Sequence, residues 1–443
     1  MTANTQALPA SPSPFLTIFR MWWPLAASWM LMGLEFPLVT ATVSRLADPE
    51  VHLAAYGGVV FPLSLLIEAP VIMILVASTA LCKDWLAYRL IRNFIVVLGS
   101  LLTVVHIVVA FTPVYGMIVQ GMLGVPDIIV EPARIGLQCM TPWTLSIAVR
   151  RFLQGVVIRA GQTRLIGLGT LVRLFVSSAV LLCGLVLQSL PGIVVATVAM
   201  SSGAMVEAGF ILFFVRPILT NLKMSPVHPS PLTLNQLRVF YWPLAFTPLI
   251  SLGNLPIVSA AISRMPNAVE SLAVWPVLGG LSFVFRSGGL AMQEVVVALY
   301  DRPHFLVPLK KFVTMVSICT SGILFMIAAT PLSALWFEWG AALTPELTVL
   351  ASTALWLMVI FPALSPWESF FQGQFVHRKM TSVITQAVCL YLLGSSIFLL
   401  AGVLYGQVTG LYVGLAAMLT GLGFQLFWLW RNSRRLDAHI HKF

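Results

Sequence analysis

The sequence predicts an all-α polytopic membrane protein with about 12 transmembrane helices in two parallel six-helix bundles. Three observations predict this fold class. Of the 443 residues, 59% are apolar and only 9% are charged, whereas a soluble domain carries about 25% charged residues. Apolar stretches recur along the chain, and its two halves repeat one another. A water-soluble fold is therefore excluded.

The apolar stretches each hold about 20 residues or more, enough for a helix to cross a hydrocarbon core of roughly 30 Å. Their approximate spans are 22–44, 53–81, 90–112, 134–156, 165–188, 192–215, 240–262, 270–299, 308–330, 346–373, 380–402 and 406–430. An even number of spans places both termini on the same side of the membrane.

The basic residues concentrate on that side. Most of the 25 Lys and Arg residues precede odd-numbered spans or follow even-numbered ones, and Arg45, Arg134 and Arg264 are the exceptions among the loops. This asymmetry is typical of the positive-inside rule, which predicts cytoplasmic termini in a cell (inner or plasma) membrane. The net charge of +10 thus reflects topology and does not indicate a nucleic-acid partner.

An internal repeat divides the chain. One alignment of the chain with itself, which we call the first register, places WPLA at 23–26 on WPLA at 242–245, and Ser44–Arg45 on Ser263–Arg264. Because each half holds six spans, both halves enter the membrane from the same side, so the repeats are parallel. The predicted organisation is an N-terminal tail at 1–21, a first bundle at 22–216, a proline-rich linker at 217–239, a second bundle at 240–430 and a basic tail at 431–443.

Catalytic and metal-binding motifs are not apparent. The five cysteines are scattered without CxxC pairs, which argues against a zinc or disulfide framework. The sequence contains no Walker loop, HExxH or GxSxG motif. We therefore predict no enzymatic activity, no cofactor and no bound metal.

Charged residues within membrane spans are costly and normally face a cavity or a partner. Glu68 lies centrally in the second span and Arg286 in the eighth, where the first register aligns Arg286 with Ile67. We predict a substrate site between the bundles formed by Glu68 and Arg286. Three polar residues at favourable helical positions complete the predicted site: Asn254, Ser282 and Gln293. The alternative is that Glu68 and Arg286 form a purely structural salt bridge.

Three further acids are candidates for binding a coupling proton or cation. Glu35 lies in a modestly polar stripe of the first span, Glu207 lies in the sixth span and Glu294 in the eighth. Helix packing is the alternative role for Glu207 and Glu294.

A second alignment predicts a gate. This second register is one position shorter than the first and matches Gln154–Gly155 with Gln372–Gly373. It places Arg150 opposite Glu368 near the cytoplasmic ends of the fourth and tenth spans. Opposite charges there predict a latch that closes the inward mouth. Alternatively, Arg150 contacts lipid headgroups and Glu368 contacts its own helix.

The chain resembles the superfamily of multidrug and toxin extrusion (MATE) transporters, polysaccharide flippases and lipid II flippases. The resemblance rests on the twelve-span, two-half architecture and on LQGVVIRAGQTR at 153–164. YWPLAFTPLISLGNLPIVSAAISR at 241–264 is similar to the progressive ankylosis branch.

The resemblance implies a rocker-switch carrier without its own ATPase, and its ankylosis branch implies export of a small anion such as pyrophosphate, a nucleotide or an organic acid. The positive charge of Arg286 suits an anionic substrate, whereas the acids Glu35 and Glu68 suit a multidrug cation antiporter driven by H+ or Na+.

A lipid-precursor flippase would need a portal between the first and eighth spans and several cationic residues, of which Arg173 and Arg286 are present. A membrane-embedded enzyme or a structural scaffold is the third class of function that we consider. The expected partners are a small-molecule substrate, H+ or Na+ and the bilayer, with the protein a monomer.

Overall fold

The computed structural model describes residues 13–224, 226, 231–302, 304–378 and 380–440, with side chains as far as residue 435. Within these ranges every regular element is helical. Twelve long helices, labelled α1 to α12 in chain order, are Pro14–Val43, Pro49–Leu81, Trp85–Phe111, Asp127–Arg159, Arg164–Leu187, Gly192–Phe214, Leu234–Ile262, Ala268–Leu299, Leu306–Ala329, Pro345–His377, Thr381–Tyr405 and Gly410–Ile440.

Eleven of these helices are long and apolar enough to cross a membrane by composition alone, and α4 is the one that is not. Its second half carries Arg150 and Arg151, and Arg150 is buried against a glutamate of α6. The twelve predicted spans therefore correspond to twelve helices. We call the side where α1 begins and α12 ends the terminal side, and the other the distal side.

Three predicted boundaries differ from the structure. Helix α12 continues to Ile440, inside the predicted basic tail at 431–443. Helix α1 begins at Pro14, inside the predicted tail, because Ser13 accepts a hydrogen bond from the Leu16 amide and proline is favoured in a first helical turn. The predicted linker contains a helix at Arg216–Met224, and α7 begins after a capping box at Thr233. Residues 225 and 227–230 of that linker, like residues 1–12 and 441–443 of the tails, lie outside the described residues.

The six helices of each half pack into a bundle. In the first bundle, α6 packs against α4 and α5, and α4 also packs against α2 and α3. In the second bundle, α12 packs against α11, and α10 against α8 and α9. These matching contacts give the two parallel bundles that the repeat predicted.

The bundles meet through the first two helices of each, α1 against α8 and α2 against α7 and α8. Close approach requires glycine here. A Cβ on Gly33 would lie 2.6 Å from the Phe283 ring, and one on Gly57 would lie 2.4 Å from the Pro276 ring. On the terminal side, the Trp22 indole donates to the Gly288 carbonyl at 2.7 Å. The α1–α8 seam is therefore packed across the membrane.

On the distal side, two arginines cross between the bundles. Arg45, at the end of α1, donates to the carbonyls of Trp339 and Gly340 in the loop between α9 and α10. Arg264, at the end of α7, donates at 2.7 Å to the carbonyls of Met122 and Leu123 in the loop between α3 and α4. We call these two sets of contacts the arginine clasps.

A π-helical turn in α2 explains why the repeat shows two registers. Tyr56–Val60 forms this turn, whereas α8 is regularly α-helical at the matching position. A π-turn accommodates one extra residue, so the first register holds before the turn and the second register holds after it. Breaks in α2 at Met73 and in α8 at Ala291 match in the second register.

Candidate functional site

Each bundle encloses a cluster of polar side chains. In the first bundle, Glu35 projects from α1 beside the helix break at Leu34 and is only 3% exposed. Its carboxylate forms an ion pair with Arg173 of α5 and accepts a hydrogen bond from the Ser177 hydroxyl at 2.7 Å. Both carboxylate oxygens of Glu35 are therefore occupied.

Arg173 links Glu35 to a second ion pair. Its guanidinium lies 3.8 Å from Glu207 of α6, which also pairs with Arg150 of α4 at 2.6 Å. Gln154, one turn beyond Arg150, donates to the other Glu207 oxygen at 3.3 Å. Glu207 therefore contacts two arginines and a glutamine inside the first bundle.

Glu68 completes the first cluster from α2. Its carboxylate accepts a hydrogen bond from the indole of Trp143 on α4, and Arg150 and Arg151 interact with it electrostatically. The Arg173 guanidinium lies 5.1 Å from the centre of the same Trp143 ring. The first cluster thus balances three acids against three arginines.

The second bundle holds a cluster with fewer charges. The Asn254 amide of α7 donates to the Tyr391 hydroxyl at 3.0 Å and accepts from Ser395 at 2.9 Å. Glu368 of α10 accepts from Gln425 at 2.9 Å and from Gln372 at 3.0 Å.

Arg286 is the cation of the second cluster. It approaches Glu368 at 3.8 Å, and its Cζ lies 6.0 Å from the centre of the Phe361 ring. Its Nε is buried and has no hydrogen-bond partner among the described residues, but its side chain as a whole is 27% exposed. The exposed part of the guanidinium can therefore contact a ligand.

The two clusters occupy the same positions of the repeat. Glu35 and Asn254 match in the first register, before the π-turn, and every later pair matches in the second. The pairs are Glu35 with Asn254, Glu68 with Arg286, Trp143 with Phe361, Arg150 with Glu368, Gln154 with Gln372, Arg173 with Tyr391, Ser177 with Ser395 and Glu207 with Gln425.

The hydrogen bonds repeat as well, since a serine and a second α5 or α11 residue hold Glu35 or Asn254 in each bundle. One pair of positions is inverted in charge: Glu68 and Arg150 in the first cluster become Arg286 and Glu368 in the second.

The structure does not bring Glu68 and Arg286 together as predicted. Each side chain contacts its own bundle, Glu68 through Trp143 and Arg286 through Glu368. The reason is the direction of the two side chains, each of which points into its own bundle. The first register aligns Arg286 with Ile67, but after the π-turn its repeat mate is Glu68. The two residues therefore occupy corresponding places inside separate bundles.

The predicted Arg150–Glu368 latch is also not formed. Arg150 is buried against Glu207, while Glu368 bonds to the two glutamines and approaches Arg286. As repeat mates they point into their respective bundles instead of toward each other. Glu294, the remaining acidic candidate, is exposed on α8, whereas Glu35 and Glu207 are buried.

Open space differs sharply between the clusters. Beside Glu35 and Arg173 there is no room for a water molecule, with a volume of about 0 Å³. The second cluster borders a cavity of about 240 Å³ that includes Asn254, and another of about 130 Å³ that includes Ser282. Arg286 lines both. A larger cleft of about 1250 Å³ is lined by Gln293 and Gln372.

Several cluster residues were missed by sequence reasoning. Applying the second register beyond α4 and α10 would have found them, because it places Ser177 on Ser395 and Arg173 on Tyr391. Uncharged polar residues in a membrane helix give little signal individually, so the repeat carries most of the information.

Comparison with solved structures identifies the architecture. A structure described as the inward-facing conformation of a multidrug resistance MATE family transporter of the MOP superfamily matches with a TM-score of 0.70 and 15% identity, over 93% of this chain and 98% of that one. The chain has the MATE transporter fold. No protein-family model and no curated protein matches it.

Two further structures show how widely this fold is used. The lipid II flippase MurJ in an inward closed conformation matches with a TM-score of 0.67 and 14% identity, over 91% of this chain and 87% of that one. A MOP superfamily transporter from Pyrococcus furiosus, described as having a binding pocket of reverse polarity, gives 0.64 and 15%, over 96% of each chain. At these identities the likeness establishes the fold, and it does not support the progressive ankylosis branch in particular.

Proposed function

We propose that this chain is a secondary transporter that exports a small anionic solute by rocker-switch alternating access. The observation that carries the proposal is Arg286, a cation that is 27% exposed and lines two cavities. A guanidinium presents a planar fork of donors that matches a carboxylate or phosphate. Asn254, Ser282 and Gln293 line the surrounding cavities.

The alternative of a sodium-coupled drug antiporter is less well supported. A metal cation at Glu35 would meet the Arg173 guanidinium and the hydroxyl of Ser177 already bound to the carboxylate. Protonation of Glu35 needs no additional space beside the carboxylate. We therefore propose H+ as the coupling ion and Glu35 as its site, with Glu207 receiving Arg173 when Glu35 is neutral.

The flippase alternative requires a lateral opening between α1 and α8. That seam is packed at Trp22 on the terminal side and at Gly280, where a Cβ would lie 3.1 Å from Phe36. The proposed solute therefore enters from the aqueous phases.

Transport assays in proteoliposomes test the substrate class. Radiolabelled anions, organic cations and lipid precursors are offered with and without a proton or sodium gradient. We expect anion uptake that falls at least tenfold in Arg286→Gln and less in Arg286→Lys. The matched control is Arg238→Gln, which changes an exposed arginine of α7. Uptake of organic cations alone, unaffected at Arg286, would contradict the proposal.

The coupling proposal has its own test. Because Glu35→Gln cannot change charge, we expect it to flatten the dependence of transport on the proton gradient. Glu294→Gln, on an exposed position of α8, serves as control. A gradient dependence unchanged by Glu35→Gln would assign this carboxylate to structure.

We also propose that the terminal side is cytoplasmic and that the chain resides in the cell membrane as a monomer without enzymatic activity or a cofactor. Cysteine labelling at positions 228 and 342 tests the topology. Position 228 lies outside the described residues, and Ala342 lies in the distal loop between α9 and α10. Labelling of both from the same side would show the topology to be wrong.

A further inference from the structure

A large cavity lies next to the Arg286 site. We call this cleft of about 1250 Å³ the vestibule. It lies in the half of the second bundle nearer the terminal side, between α7 at Pro243–Thr247 and α11 at Thr381–Leu393, with Met73 of α2 on its border. Small-molecule sites usually measure about 300–1000 Å³, so the vestibule has space for an organic ligand.

The walls of the vestibule are mainly apolar. Leu244, Phe246, Ile384, Leu390 and Trp428 contribute aliphatic and aromatic surface. Its polar groups include Gln293 and Gln372, which come from the ends of α8 and α10. An inorganic anion would leave this apolar surface in contact with water.

Gln372 connects the vestibule to the charged site. This residue lines both the vestibule and the 240 Å³ cavity that contains Arg286, and its amide donates to Glu368 at 3.0 Å. A ligand with one charged group at Arg286 and an apolar body extending past Gln372 would therefore use both compartments.

We propose that the substrate is an amphipathic organic anion, with its carboxylate or phosphate bound at Arg286 and its apolar body in the vestibule. This inference rests on the proposed anion transport and narrows its substrate class. Burial of each methylene strengthens binding by about fourfold, so affinity should rise with chain length until the vestibule is filled. Inorganic pyrophosphate, which lacks an apolar body, should bind weakly.

Equilibrium binding to the purified full chain in nanodiscs tests the length dependence. Radiolabelled octanoate is the probe, and the competitors are butyrate, hexanoate, decanoate, pyrophosphate and a lysophosphatidate. We expect competition to strengthen by about fourfold per methylene from butyrate to octanoate, and octanoate binding to be lost in Arg286→Gln.

A pair of substitutions separates the vestibule from the charged site. Thr385→Trp adds bulk to a residue that lines the vestibule, and Thr353→Trp makes the same change at an exposed position of α10. Both threonines donate to the carbonyl four residues earlier. We expect Thr385→Trp to weaken octanoate binding at least tenfold and to leave pyrophosphate binding unchanged, while Thr353→Trp changes neither.

The outcomes distinguish the two proposals. Pyrophosphate binding at Arg286 with no effect of chain length or of Thr385→Trp would overturn the amphipathic substrate and leave anion transport standing. Absence of binding for every anion would overturn both. Binding of lysophosphatidate alone would identify the vestibule as a lipid site and overturn the inference for soluble anions.

Discussion

Arg173 is the residue on which the first cluster depends. It pairs with Glu35, approaches Glu207 at 3.8 Å and lies over the Trp143 ring. Removing one partner of a buried ion pair typically costs about 3–5 kcal/mol because the other charge is left uncompensated. In the second cluster the matching positions hold a neutral pair, since Asn254 and Tyr391 replace Glu35 and Arg173 and form a hydrogen bond with each other.

This correspondence predicts that the neutral solution can be transferred. Arg173→Tyr alone should destabilise the protein by about 3–5 kcal/mol, whereas the double variant Glu35→Asn with Arg173→Tyr should recover most of that loss, because Ser177 already matches Ser395. Thermal unfolding of the detergent-purified variants provides the measurement. A double variant that loses at least as much stability as the two single variants together would show that the clusters are not equivalent.

At the scale of elements, the π-helical turn Tyr56–Val60 determines which side chains of α2 enter the bundle. One residue corresponds to about 100° of helix rotation. Without the turn, Glu68 would rotate away from Trp143, with which it forms a hydrogen bond. The turn therefore keeps the second half of α2 in register with α8 despite the additional residue.

Deleting Gly58 tests the role of this turn. We expect α2 to become regularly helical, Glu68 to lose its contact with Trp143, and both stability and transport to fall, the latter by at least tenfold. Deletion of Pro226, in the linker outside the helices, is the control and should change neither property. Full activity after deletion of Gly58 would mean that α2 absorbs the change elsewhere.

Sequence patterns predicted the helices well because membrane spans are long and apolar, and they predicted the repeat because Trp-Pro and Ser-Arg recur in register. They also identified Glu35, Glu68, Glu207 and Arg286 because charged residues are rare within such helices. The partners of these charges could not be predicted with a single fixed register. A π-turn leaves no clear signature in the sequence, and its single extra residue assigned Arg286 to Ile67 instead of Glu68.

At the scale of the whole molecule, the two bundles are joined differently on the two sides of the membrane. On the distal side, the arginine clasps tie each bundle to a loop of the other. On the terminal side, the vestibule lies within the second bundle. Rocking of the bundles toward a distal opening therefore has to break the clasps, whereas on the terminal side the second bundle already holds an open volume of about 1250 Å³.

The clasps should accordingly control the balance between distal-closed and distal-open states. A hydrogen bond from a charged donor contributes about 1.5–3 kcal/mol, so Arg45→Ala with Arg264→Ala should shift this balance at least tenfold toward opening. Spin labels at Met117 and Leu332, exposed positions of the two distal loops, on a background without the five native cysteines, report the separation by pulsed electron resonance. We expect a longer distance to appear in the double variant.

Arg134→Ala is the matched control, since Arg134 lies on the same side but donates to Ala110 and Phe111 of its own bundle. An unchanged distance in the double variant, or the same change in the control, would remove the clasps from the opening step.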